Sequence, residues 1–326
     1  MLTKLDKLKS MSVIVADTGD VGAIKALKPV DCTTNPSLIL KAAQLPGSEA
    51  IIDEALNWAI ALSSDTTLQI GGAAKRLTIL FGKRASQLVE GRVSTEIDAR
   101  LSYDTTATIT EARAMIAAYA ELGVAKSRIL VKIAATWEGI QAARVLEGEG
   151  IECNLTLIFS LAQAHAAADA GAFLISPFVG RITDWYNAQL KPGETLETDP
   201  GVDFVKAVYA ELKARNSKTI IMGASFRTLA QIEALAGCDR LTIAPNFIEA
   251  LSQAHGKLIQ KLMLPTLVGD VPKPINEADF VTALQADAMA SSKLGDGIAA
   301  FIADTVALKK LLETRLSQKQ QNSVLV

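Results

Sequence analysis

Short apolar runs recur along the chain, and segments of helical spacing separate them. In order they are Ser12–Asp17 (SVIVAD), Val30–Asn35 (VDCTTN), Val93–Asp98 (VSTEID), Ile129–Ala134 (ILVKIA), Cys153–Leu157 (CNLTL), Phe173–Phe178 (FLISPF), Thr219–Phe226 (TIIMGASF) and Leu241–Ala244 (LTIA). Each has the length and residue types of a buried strand. Between them, Thr108–Leu122 reads as a helix opened by a Thr108/Glu111 capping box and closed at Gly123. Thr136–Gly148, Ser160–Ala170 and Thr228–Ala236 have the same character. Strands that alternate with helices imply parallel pairing through crossovers, and eight repeats suit a closed (β/α)8 barrel of the α/β class. An open doubly wound sheet is the alternative; such sheets usually begin with a glycine-rich phosphate loop, and neither G-x-G-x-x-G nor a P-loop is present. Extra helices are expected within 36–92, including a long Gly72–Val89 pattern, and within 179–218 around the turn KPGETLETDPG. A C-terminal helical extension is expected over about 276–316, followed by a frayed tail, LSQKQQNSVLV. No low-complexity linker divides the chain, so residues 1–326 read as a single domain.

Strands of such a barrel are buried on both faces, so polar residues within them require a reason. They come two apart, which places them on shared faces: Thr33 with Asn35, Ser94 with Glu96 and Asp98, Asn154 with Thr156, Ser176 with Phe178, Ser225 with Arg227. Most lie toward the C-terminal halves of their runs, the end that carries the active site in this architecture. Lys132 stands among apolar neighbours in Ile-Leu-Val-Lys-Ile-Ala-Ala. Burial there strips an ammonium of its hydration, and a neutral amine is a nucleophile toward carbonyl carbon. The run alone is equally compatible with a structural lysine paired to a carboxylate, or one reaching out from a strand end. Asp17 and Glu96 supply acids on other strands, either as structural partners for a cation or as proton-transfer groups. Arg181 and Arg227, with Ser225, follow the sixth and seventh runs, where barrels often hold phosphate. An arginine by itself is compatible with a solvated surface.

Composition narrows the classes. Hydrophobic residues are 49% and charged residues 21% of the chain, which excludes a disordered polymer. A formal charge of −2 gives no basic excess with which to grip nucleic acid. No apolar run reaches membrane-span length, and the basic amphipathic start has no signal-like apolar segment, so a cytoplasmic protein is expected. Cys32, Cys153 and Cys238 are not spaced as a metal or redox motif and read as reduced thiols; His165 and His255 are too isolated to suggest zinc.

The segments VADTGD, DCTTNPSL, GRVSTEIDARLSYDT, ILVKIAATWEGI, CNLTLIFS, FLISPFVGRITDWY, MGASFRT and CDRLTIAP resemble the transaldolases, over about residues 10–315. The resemblance is to the longer bacterial and eukaryotic branch rather than the short fructose-6-phosphate aldolases. It implies a class I enzyme with no cofactor and no metal, acting on sugar phosphates in the pentose phosphate pathway as a homodimer. The reaction would move a dihydroxyacetone unit from sedoheptulose 7-phosphate to glyceraldehyde 3-phosphate, giving erythrose 4-phosphate and fructose 6-phosphate. By the same resemblance Lys132 forms the Schiff base and Asp17 exchanges the proton of the C4 hydroxyl. Glu96 and Thr156 hold the water that shuttles protons. Asn35, Asn154 and Ser176, with Thr33 near them, bind the three-carbon unit, and Arg181, Ser225 and Arg227 bind phosphate. Phe178, where the small aldolases typically carry tyrosine, and Glu96, where they carry glutamine, favour transfer over simple cleavage. The rival expectations are a fructose-6-phosphate-type aldolase and a barrel that binds sugar phosphates without catalysis.

Overall fold

The computed structural model describes residues 2–267 and 273–324. Its centre is a closed barrel of parallel strands in the order β1 to β8: Val13–Asp17, Asp31–Thr33, Val93–Glu96, Ile129–Ala134, Cys153–Ile158, Leu174–Pro177, Ile220–Gly223 and Arg240–Ile243. β1 pairs in parallel with β8, Ile14 opposite Leu241, so the sheet has no free edge. Each of the eight predicted runs overlaps one of these strands; six contain it whole, while β5 extends one residue beyond its run and β8 begins one residue before its run.

The helices are α1 Lys4–Lys9, α2 Val21–Leu27, α3 Pro36–Ala43, α4 Glu49–Leu62, α5 Thr66–Ser86, α6 Thr105–Glu121, α7 Trp137–Gly148, α8 Leu161–Asp169, α9 Gly180–Asn187, α10 Pro200–Ala214, α11 Leu229–Ala234, α12 Pro245–Gln253, α13 Glu277–Ala286 and α14 Ala288–Val324. Thr136, Ser160 and Thr228 cap α7, α8 and α11 through their hydroxyls, as the sequence predicts. The predicted start of α6 is corrected. Asp104 is its N-cap, accepting from the Ala107 amide at 2.9 Å, and Thr108 lies one turn inside, its hydroxyl donating to the Leu101 carbonyl. An ionised carboxylate at that end also complements the helix dipole, which a threonine cannot do.

Two apolar layers matter for the site. Inside the barrel, Val15, Leu130, Leu174 and Met222 form a plug. The next inward position on three of those strands, two residues further on, is polar: Asp17, Lys132 and Ser176. Over the mouth, Met289, Leu294, Ile298 and Phe301 of α14 pack with Leu157, Phe159, Phe178 and Ile182. Further along, Leu308, Leu312 and Leu316 join the core formed by α3, α4 and α5. The tail expected to fray therefore continues as helix to Val324, its last two residues lying outside the described ones. Leu316 is buried there, and Arg315 and Lys319 reach Asp53 of α4 at 2.8 and 3.5 Å. Apolar contact and paired charge together outweigh the chain entropy that would otherwise release it.

Candidate active site

Lys132 is almost fully buried at the centre of the barrel, on β4 directly opposite Glu96 of β3. Its Nζ lies 3.3 Å from Glu96 Oε2, an ion pair whose alignment falls short of a hydrogen bond. It also donates to the Thr34 carbonyl at 3.3 Å. Burial pushes the Glu96 carboxyl up from its ordinary range, against the pull of the Lys132 ammonium and the Arg181 guanidinium. Glu96 Oε2 and Thr156 Oγ1 are both buried without a hydrogen-bond partner among the described residues. Each keeps hydrogen-bonding capacity that the surrounding protein leaves unused.

Asp17 ends β1, enclosed by protein with only part of its surface reaching the mouth. Burial raises its carboxyl as well, opposed first by Lys132 and then by the Thr33 hydroxyl, which donates to Asp17 Oδ1 at 3.0 Å. Thr33 in turn shares a 2.8 Å hydroxyl contact with Thr242 of β8, so the hydroxyl that holds Asp17 is itself held from the far side of β1. On the opposite wall, Asn154 Nδ2 donates to Ser94 Oγ at 3.0 Å and its Oδ1 accepts from Ser176 Oγ at 2.7 Å. These bonds fix the amide of Asn154 with its nitrogen toward β3 and its oxygen toward β6.

Asn35 reaches the same region by a different route from the one the alternation predicts. β2 stops at Thr33, and Asn35 is the N-cap of α3, its Oδ1 accepting from the Leu38 amide at 2.9 Å. Its amide nitrogen is thereby left as the donor free for other work. Pro36 at the first helical position fixes the turn.

The cationic residues sit where the chain leaves β6 and β7. Gly180 approaches the Ser225 carbonyl so closely that a Cβ there would stand 2.3 Å from it, and the Gly180 amide donates to that oxygen at 2.6 Å. Ser225 adopts a left-handed conformation, φ +63°, which turns Arg227 back toward α9. Arg227 donates to Ser225 Oγ at 3.3 Å and pairs with Asp184 at 2.8 Å. Arg181 lies 5.2 Å from the Phe178 ring and 5.6 Å from that of Phe301. Burial and the nearby Arg227 charge both lower its affinity for a proton, while Glu96 and Asp17 act the other way. Two guanidiniums and a serine hydroxyl thus bring positive charge and hydrogen-bond donors together on this side of the mouth. All twelve site residues singled out in the sequence lie in or beside the barrel mouth. Those it did not single out are Thr34, which acts through its carbonyl, the positioning residue Thr242, and Phe301 of α14.

The transaldolase/fructose-6-phosphate aldolase family matches residues 14–312. The chain belongs to that family. It is 54% identical over 316 residues, 97% of its own length and 98% of the relative's, to a transaldolase of Xanthomonas euvesicatoria pv. vesicatoria (strain 85-10). Transaldolases of Marinomonas sp. (strain MWYL1) and Methylobacillus flagellatus are 51% and 50% identical, each covered over its whole length. Within this transaldolase family the barrel is that of a transferase of the class I aldolase type. Among the described residues no helix is long and apolar enough to cross a membrane.

Proposed function

We propose that the whole chain works as one barrel domain that transfers a dihydroxyacetone unit from sedoheptulose 7-phosphate to glyceraldehyde 3-phosphate through an imine on Lys132. The observation that carries this reading is a buried amine 3.3 Å from a buried carboxylate, inside a barrel whose next inward positions are polar. Lys132 Nζ adds to the C2 carbonyl, and the carbinolamine expels water with proton transfer through the group held by Glu96 and Thr156. Asp17 takes the C4 hydroxyl proton as the C3–C4 bond breaks. The electron pair enters the protonated imine and leaves a neutral enamine, and erythrose 4-phosphate departs. The acceptor aldehyde then reverses these steps, Asp17 returning the proton to the new alkoxide.

Asn154, Ser176 and Asn35, with Thr33 beside them, would hold the hydroxyls of the three-carbon unit; Arg181, Ser225 and Arg227 would hold phosphate. Phe178 packs edge-on against Phe159, ring centroids 5.5 Å apart, and presents no hydroxyl to the enamine. A wall without a proton donor favours waiting for an acceptor over hydrolytic release. The resemblance further supports a cytoplasmic homodimer of the pentose phosphate pathway.

Borohydride reduction in the presence of fructose 6-phosphate, followed by peptide mass mapping, tests the reading. A reduced three-carbon adduct is expected on Lys132, absent in Lys132→Ala, and discharged when erythrose 4-phosphate precedes the borohydride. An adduct that the acceptor fails to discharge points to aldol cleavage instead. A folded protein with no adduct overturns the role of Lys132.

A further inference from the structure

A cavity of about 340 Å³ runs outward from Thr34, Asn35 and Glu96 at the barrel mouth, between α3, α4, α5, α6 and α14. Its walls are largely apolar, with Ile39, Ile79, Ile97, Met115 and Leu308 among them. Lys75, Arg76, Arg100 and Lys309 also line it. Two of these charges are neutralised locally: Lys75 pairs with Glu111 at 2.7 Å, and Arg100 pairs with Asp98. Arg76 and Lys309 have no ion-pair partner among the described residues.

Arg76 is the informative one. Its guanidinium lies 4.9 Å from the centroid of the Trp58 ring, a cation–π contact that leaves the in-plane N–H groups for other acceptors. Yet its Nε and Nη1 are buried without any hydrogen-bond partner among the described residues. Buried, unanswered guanidinium donors are costly, and the acceptor that relieves them is an anion. Lys309 adds to the demand, since burial and the neighbouring Arg100 and Lys75 charges all disfavour its protonated form.

We propose that this cavity binds a small organic anion, a carboxylate or phosphate on a compact apolar body. The anionic group sits between Arg76 and Lys309, and the apolar body lies along Ile79, Met115 and Leu308. Arg181, Ser225 and Arg227 of the phosphate clamp do not line this cavity, whereas Asn35 does, as do Thr34 and Glu96, the two residues that touch Lys132 Nζ.

Calorimetric titration of the intact protein with phenyl phosphate tests this, with phenol and inorganic phosphate as the body and charge taken separately. Phenyl phosphate is expected to bind more tightly than either. Arg76→Gln is expected to weaken that binding about tenfold or more, as loss of charged hydrogen bonds does. Lys309→Gln, a part-exposed position, is expected to weaken it as well, while Arg181→Ala leaves it intact. Binding that survives Arg76→Gln and Lys309→Gln but is lost in Arg181→Ala overturns the proposal and assigns the anion to the barrel mouth. Equal affinity for phenol removes the anionic requirement, equal affinity for inorganic phosphate removes the apolar one, and no binding removes the site; each overturns it.

Discussion

Glu96 Oε2 lies 3.3 Å from Lys132 Nζ on the adjacent strand, where the parallel register sets the two residues side by side. In a sheet buried on both faces such neighbours cannot escape each other or reach bulk water, so each sets the electrostatic environment of the other. This pairing leaves the lysine one strong partner, which is also the group best placed to move a proton to and from it.

Glu96→Gln keeps the shape of that neighbour and removes its charge and basicity. The rate of imine formation is expected to fall about a hundredfold, the scale of a lost proton-transfer group. The reduced adduct should still form on Lys132 at long times. Single-turnover trapping kinetics measure this, and an unchanged rate would remove Glu96 from the proton path.

Asp17 gives a prediction with a definite sign. Its carboxyl is raised by burial in the folded chain, with Lys132 and Thr33 only partly offsetting this. Such a group costs stability above its raised value, and the cost vanishes below its ordinary one. Asp17→Asn, which keeps an acceptor for Thr33, is therefore expected to raise the thermal midpoint at about pH 8 and to lose that gain below about pH 4. Activity should run the opposite way: the wild-type acid limb should lie above the ordinary carboxylate range because Asp17 must be ionised to accept a proton. A midpoint difference independent of pH would contradict the raised carboxyl.

Arg181→Ala separates phosphate binding from chemistry. KM for phosphorylated donors is expected to rise roughly tenfold or more, the scale of a lost charged hydrogen bond. Borohydride trapping of unphosphorylated dihydroxyacetone should be unaffected. If the small ketone suffers equally, the arginine serves the barrel rather than the phosphate.

Phe301→Ala tests whether the crossing helix supports that clamp. The side chain is buried against the mouth and flanks Arg181. Its truncation is expected to cost about 3–5 kcal/mol by urea unfolding. KM for phosphorylated substrates should rise with it while single-turnover chemistry at saturation changes little. A stability loss with unaltered KM would make α14 a simple cover.

Much of this was legible in the chain. Eight apolar runs, polar residues spaced by two within them, and a lysine flanked by aliphatic residues give the barrel and its inward-facing chemistry. Local rules were weaker at the ends of elements. Thr108 has the form of a cap, but Asp104 four residues earlier takes the position. Asn35 follows the strand alternation in sequence, yet β2 ends before it and it caps α3 instead. Each difference came from a hydrogen bond that competes with the local pattern.

The sequence by itself determined which side chains face inward, because strand periodicity is a property of neighbouring residues and survives any arrangement of the strands. It could not determine which inward residues meet. Thr242 stands 209 positions from Thr33, and they touch only because β8 closes onto β1, which leaves β1 alone between β8 and β2. Phe301 reaches Arg181 because α14 crosses the mouth, a path set by where its apolar face finds cover on the barrel and then on α3, α4 and α5. The unanswered guanidinium of Arg76 is likewise invisible along the chain, since burial without a partner belongs to the packed surroundings and not to the residue. Periodicity is local, whereas proximity across a closed barrel is fixed by closure and packing among distant segments, and only the tertiary structure decides it.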